Sequence, residues 1–216
     1  NDFVNKDGLF DLHKNSPVYN NKYYQELSLE IFLKQNQYKN IIYIPNKGDC
    51  GNTLSIYGAI ILFNKLGLHY ILGSPYTKYY KKTLVYAGGT NLNGVYKDCK
   101  RFINKNMYDN TIILLPSTIK NEDTIIKKLT SNVIIFCREK VSYNYVYSLL
   151  NNKTNVYLSN DTIFYMEAIG QLAYYKNKIG KNTCNCFRTD IERTDIKIPL
   201  DNINLYRKFS RPGSYY

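Results

Sequence analysis

Apolar positions along this chain follow two alternating rhythms. Short runs rich in β-branched residues recur at Asn40–Ile44, Leu68–Leu72, Thr83–Ala87, Thr111–Leu115, Val133–Cys137, Asn155–Leu158 and Thr183–Phe187. Most are nearly continuous rather than alternating, which predicts strands covered on both faces. Between them, apolar residues three and four apart predict helices over about 22–38, 53–66, 95–106, 122–129, 138–150 and 165–174. The second of these carries Leu54, Ala59, Ile60, Leu62, Phe63 and Leu66 on its apolar face, and Gly67 stops it. Asn121 is the expected cap of helix 122–129, and Pro116 the expected end of its strand. The connection Pro75–Lys82 has neither rhythm, and its tyrosines read as packing and surface filler.

Strands alternating with helices predict an α/β fold: a Rossmann-like, mostly parallel sheet with helices on both faces. Right-handed crossovers then gather the loops that follow the strands along one sheet edge. Those loops begin at Asn46, Gly88, Pro116, Arg138, Asp161 and Arg188. Residues 1–20 read as an irregular arm and 21–180 as the α/β domain. Residues 181–216 read as a last strand and tail, the expected start of a second domain.

Composition narrows the class. With 216 residues and 44% hydrophobic content, the chain has material for a sizeable core. The net charge of +12 raises the question of nucleic acid. The basic residues are dispersed, however, with Lys81-Lys82 and Lys127-Lys128 as pairs rather than a stripe, so no dedicated nucleic-acid binding is expected. No apolar run approaches the roughly 18–20 residues of a membrane span, and nothing at the amino end resembles a signal peptide. The five cysteines are irregularly spaced and lack a Cys-x-x-Cys pair, so neither a zinc site nor a disulfide framework is expected. Cys99 and Cys137 read as buried thiols, and the protein as cytoplasmic.

Candidate chemistry lies in the loops. Asn46-Lys47-Gly48-Asp49-Cys50-Gly51-Asn52 follows the first strand and opens a helix. It lacks both the dinucleotide fingerprint and the Gly-Lys-Ser/Thr ending of a triphosphate loop. Gly48 and Gly51 let backbone N–H groups approach a ligand at a helix start, which favours an anion or a polarised oxygen. Asp49 can take a proton from a hydroxyl or cap the helix. Gly88-Gly89 forms a second loop, where Asn91 can bond a sugar hydroxyl or tolerate a left-handed turn. Arg138 and Arg188 follow apolar strands and have forks suited to carboxylate or phosphate, although Arg188 and Asp190 can also form a structural ion pair. His69 opens a predicted core strand and reads as packed. A general acid or base is therefore sought among carboxylates, tyrosines and lysines.

In order, the carrying segments are Asn46–Asn52, Gly88-Gly89-Thr90-Asn91, Leu115-Pro116-Ser117-Thr118, Arg138-Glu139-Lys140-Val141-Ser142, Leu158-Ser159-Asn160-Asp161-Thr162 and Phe187-Arg188-Thr189-Asp190-Ile191-Glu192. Over about 41–192 their succession resembles the polysaccharide pyruvyl transferase family. It departs at Thr90, where the family usually has glycine, and at Ser117, where glutamine is common.

The resemblance implies transfer of the enolpyruvyl unit of phosphoenolpyruvate to two hydroxyls of one sugar, giving a cyclic ketal and phosphate. It implies no metal and no cofactor beyond that donor. It assigns Asp49 to the acceptor and Arg188 to the donor anion. Asn46, Gly48, Asn52, Gly88, Gly89, Asn91, Ser117, Arg138, Asp161 and Asp190 are the implied substrate contacts. It also implies a two-domain shape of the GT-B glycosyltransferase type. The family's histidine-bearing donor motif has no counterpart here, so the expected cleft is completed by a second half, another copy or a partner chain. The competing expectations are a nucleotide-sugar glycosyltransferase of the same shape and a non-catalytic binding or assembly module.

Overall fold

The computed structural model describes residues 20–21, 24–38, 40–46, 50–150 and 155–168. The chain forms a two-stranded ribbon, β1 (Asn20–Asn21) with β2 (Tyr24–Gln25), then α1 (Leu29–Gln35) and β3 (Asn40–Ile44). Next come α2 (Cys50–Lys65), β4 (His69–Leu72), β5 (Thr83–Tyr86), β6 (Gly89–Leu92) and α3 (Asp98–Asn106). Then follow β7 (Thr111–Ile119), α4 (Asp123–Ile126), β8 (Val133–Cys137), α5 (Lys140–Leu149), β9 (Val156–Leu158) and a 3-10 turn over Thr162–Ala168. The seven strands β3–β9 form one sheet in the order β4-β3-β5-β7-β8-β9, with β6 also beside β7. Their pairings are parallel.

Side chains divide by strand parity between two cores. Ile42, Ile44, Leu84, Tyr86, Ile112, Leu114 and Ile135 face α3, α4 and α5 through Phe102, Ile103, Ile125, Ile126, Tyr143 and Val146. Ile41, Tyr43, Val85, Ile113, Leu115 and Phe136 face α1 and α2 through Leu29, Phe32, Leu33, Ala59, Leu62 and Phe63. From β3 the chain moves outward one way through α2, and from β5 the other way through α3. Helices on opposite faces are what two such right-handed paths require.

Several expectations on element limits are corrected. β7 continues past Pro116 to Ile119, because its ladder to β8 shifts register between Leu114 and Ser117. A proline without an N–H fits at such an interruption. The glycine loop is itself partly strand: β6 extends the line of β5 along β7, with Gly89 opposite Ser117. The helix expected over 22–38 is confined to α1, since Glu26 bridges Leu158 and Leu27 N donates to Leu158 O at 3.2 Å, covering the β9 edge. The helix expected over 122–129 shrinks to the four residues of α4. Residues 162–168 are 3-10 rather than α-helical. His69 is exposed rather than packed, because β4 is the outer strand of the sheet. The strand expected over 183–187 lies outside the described residues.

The return from β4 to β5 crosses the sheet without a helix. Tyr79 packs there against the α3-side core, and two buried asparagines hold its backbone. Asn106 Oδ1 accepts from Tyr79 N at 2.8 Å, while Asn110 accepts from Lys82 N at 3.0 Å and donates to Tyr79 O at 2.8 Å. Tyr76 and Tyr80 stay exposed.

Candidate functional site

The sheet reverses its direction of growth between β3 and β5, and open parallel sheets hold ligands beyond the strand carboxyl ends at such a point. There Asn46, just after β3, donates through Nδ2 to Asn91 Oδ1. Asn91 is buried, and its own Nδ2 donates to Ala87 O at 2.6 Å and Gly88 O at 2.8 Å. Gly89 has φ +107°, and a β-carbon there would overlap Asn52 Oδ1 on the first turn of α2. A β-carbon on Gly88 would collide with Pro116 O of β7. Glycine at both positions therefore lets the loop seat between the α2 N-terminus and β7.

A second network continues across β7, β8 and the 3-10 turn. Arg138 Nε donates to Thr118 Oγ1 at 2.8 Å, and its Nη1 to Asp161 Oδ2 at 2.9 Å. The other oxygen of Asp161 accepts from Ser55 Oγ at 2.9 Å and from Ile163 N at 3.0 Å. Thr162 Oγ1 donates to Ser55 O at 2.7 Å, and a β-carbon on Gly58 would strike Thr162 O. Together these contacts clamp the 3-10 turn onto α2. Glu139 accepts from Thr118 Oγ1 at 3.2 Å and from Ser142 Oγ, while Ser142 Oγ accepts from Ile119 N at 2.7 Å. Burial, with Glu139 as a smaller influence, pushes the Cys137 thiol well above its ordinary range. Cys99 is buried and raised in the same way, so neither thiol is a ready nucleophile.

The structure brings Asn46, Asn52, Gly88, Gly89 and Asn91 into one cluster, with Ser117 opposite Gly89 in register. Ser117 Oγ donates back to Leu115 O at 2.7 Å. Arg138 and Asp161 form the neighbouring pair. Gly48, Asp49, Arg188 and Asp190 lie outside the described residues. Sequence reasoning missed Ser55, Thr118, Glu139 and Ser142 as members. A signal existed for Ser55, a hydroxyl four residues before Ala59 on the apolar stripe of α2; Glu139 and Ser142 stood beside Arg138 and drew no role. Among the described residues, no group of three or more His, Cys, Asp or Glu side chains could hold a metal. None of the described helices is long and apolar enough to cross a membrane.

Comparison with known proteins decides between the α/β families that share this edge. The family model for polysaccharide pyruvyl transferase matches residues 5–215. The chain belongs to the polysaccharide pyruvyl transferase family. No curated protein matches it. Among solved structures, it is similar to a functionally uncharacterised protein from Klebsiella pneumoniae, with 28% identity and a TM-score of 0.64. That match covers 76% of this chain and 64% of the other, so less than two thirds of the solved protein is spanned. The α/β Rossmann-like fold expected from the strand–helix alternation is thus shared with this solved structure.

Proposed function

We propose that this chain carries one side of a cleft in which phosphoenolpyruvate is transferred to a sugar as a cyclic pyruvate ketal. The observation that carries the reading is the joining of Asn46, Asn52, Gly89 and Asn91 at the sheet's reversal point, in a chain of this family. Small amides and glycine backbone suit hydroxyl-bearing ligands, because they offer donors and acceptors at close range without bulk. In this reading Asn91 shapes the loop, since its amide is turned onto loop carbonyls, while Asn46, Asn52, Gly48 and Asp49 contact the acceptor.

Arg138 is held by Thr118 and Asp161, with its side chain 31% exposed, and it offers its remaining N–H groups to the donor's carboxylate or phosphate. Asp161 and Ser117 serve that orientation from within the fold, and Arg188 with Asp190 is the second anion-binding pair. The reaction adds two sugar oxygens to donor carbon C2 and breaks its bond to the phosphate oxygen. The donor methylene becomes a methyl group. A second half, supplied by the rest of the protein or by another chain, closes the cleft as in GT-B enzymes. The reaction runs in the cytoplasm, where the donor is made.

A coupled phosphate-release assay on the full-length protein, with phosphoenolpyruvate and a panel of sugar acceptors, tests the reading. Acceptor-dependent release is expected. No release across a broad panel, together with a melting temperature unmoved by phosphoenolpyruvate, would sink it.

A further inference from the structure

The transfer needs a group to take the proton of the attacking hydroxyl, and most carboxylates described at this edge are committed elsewhere. Asp161 receives donors on both oxygens with its side chain 11% exposed. Glu122 is 4% exposed and held by Lys100 at 2.9 Å. Asp123 accepts the Tyr145 hydroxyl, and Asp98 takes that of Tyr76. Glu139 differs. Its side chain is 37% exposed, and its Oε2 lies 3.6 Å from Arg138 Nε, beside the group that the proposed function gives to the donor anion.

We infer, resting on the pyruvyl-transfer reading, that Glu139 is the proton acceptor of this side of the cleft. As the sugar oxygen bonds to donor C2, its O–H bond breaks and the proton passes to the Glu139 carboxylate. When the C2–O bond to phosphate breaks, the resulting carboxylic acid returns that proton to the departing phosphate. The methyl proton comes from a separate general acid, which the second sugar hydroxyl reprotonates, so protons balance over the cycle.

Two hydroxyls, of Thr118 and Ser142, donate to Glu139, one to each carboxylate oxygen, and hold the group in place. Among the described residues, charged and titratable groups near it include Arg138, Cys137 on β8 and, across the Arg138 fork, Asp161. Thr118 ties Glu139 and Arg138 together, because its oxygen accepts from the arginine and donates to the carboxylate. Acid–base group and anion holder are thereby fixed relative to one another, the geometry that proton transfer at a bound donor requires.

The test compares Glu139→Gln with Asp49→Asn in the full-length protein. Glu139→Gln is expected to lower kcat by about 100-fold or more and to remove the acid limb of the pH–rate profile. Its melting-temperature increase with phosphoenolpyruvate should stay that of the wild type. Glu139→Asp should restore part of kcat together with the acid limb. Retention of kcat within about threefold in Glu139→Gln, with Asp49→Asn inactive, would overturn the inference while leaving pyruvyl transfer standing. Loss of donor stabilisation in parallel with kcat would also overturn it, because the residue would then act in binding or folding. If Glu139→Gln does not fold, full wild-type kcat in Glu139→Asp decides against the inference, because a carboxylate withdrawn by one methylene loses its reach to the attacking hydroxyl. A wild-type protein that releases no phosphate removes the functional reading itself.

Discussion

At the scale of single residues, polar side chains that are fully partnered contrast, among the described residues, with the hydroxyl of Tyr43. Tyr43 is completely buried among Phe63 and Tyr70, and its hydroxyl has no hydrogen-bond partner among the described residues. An unpaired buried hydroxyl is a standing cost, so Tyr43→Phe should stabilise the protein by about 1 kcal/mol, read as a higher urea midpoint at unchanged slope. Gly89 shows the opposite constraint. Its φ of +107° and the nearness of Asn52 make Gly89→Ala costly by about 2 kcal/mol, through backbone strain and displacement of the α2 first turn. Chemical denaturation would measure the loss, and a drop below about 0.5 kcal/mol would show that the loop seats differently. The glycine pair was visible in the chain, but its partner was not: only the folded packing places Asn52 against Gly89. The same holds for Arg138, whose suitability for anions was legible while its pairing with Asp161 depends on how β8 meets the 3-10 turn.

At the scale of elements, hydrophobic runs located the central strands well, because a strand buried on both faces is nearly continuous in apolar residues. Limits failed where backbone pairing overrode local signals. Pro116 sits inside β7 since the ladder is already interrupted there. Residues 24–28 are drawn from the predicted helix to the exposed edge of β9, where Leu27 N pairs with Leu158 O. The 3-10 turn replaces an α-helix because Asp161, Thr162 and the close approach at Gly58 pin its start to α2. Asp161→Asn should therefore loosen α2, β8 and the 3-10 turn together. Hydrogen exchange would show amides of Ser55, Arg138 and Ile163 losing protection in concert, whereas change confined to Ile163 would contradict a shared clamp. The helix-free return from β4 to β5 makes its own prediction. Asn106→Ala leaves Tyr79 N and Thr77 O without side-chain partners, for a loss of about 2–3 kcal/mol in denaturant titration.

At the scale of the whole molecule, aromatic burial sets an alkaline limit. Burial raises Tyr43 and Tyr86 far above the ordinary phenol value, and pushes Tyr165 up to about 12. Above about pH 10 the unfolded chain releases phenolic protons that the folded one retains, so folded-state stability is full below pH 10 and falls as pH rises beyond it. Urea midpoints at several alkaline pH values should decline through that window, and a flat profile would show that these rings are not buried in solution.

The sheet's reversal point, which composition alone could not reveal, brings the first and second loops together and gives the family assignment a physical site. Whether that site moves pyruvate is the central claim. Full-length protein incubated with phosphoenolpyruvate carbon-13-labelled at C2 and a sugar acceptor tests it most directly. The account predicts that the label appears as a ketal carbon bonded to two sugar oxygens, with one phosphate released per ketal formed. Label remaining in phosphoenolpyruvate across the acceptor panel would contradict it.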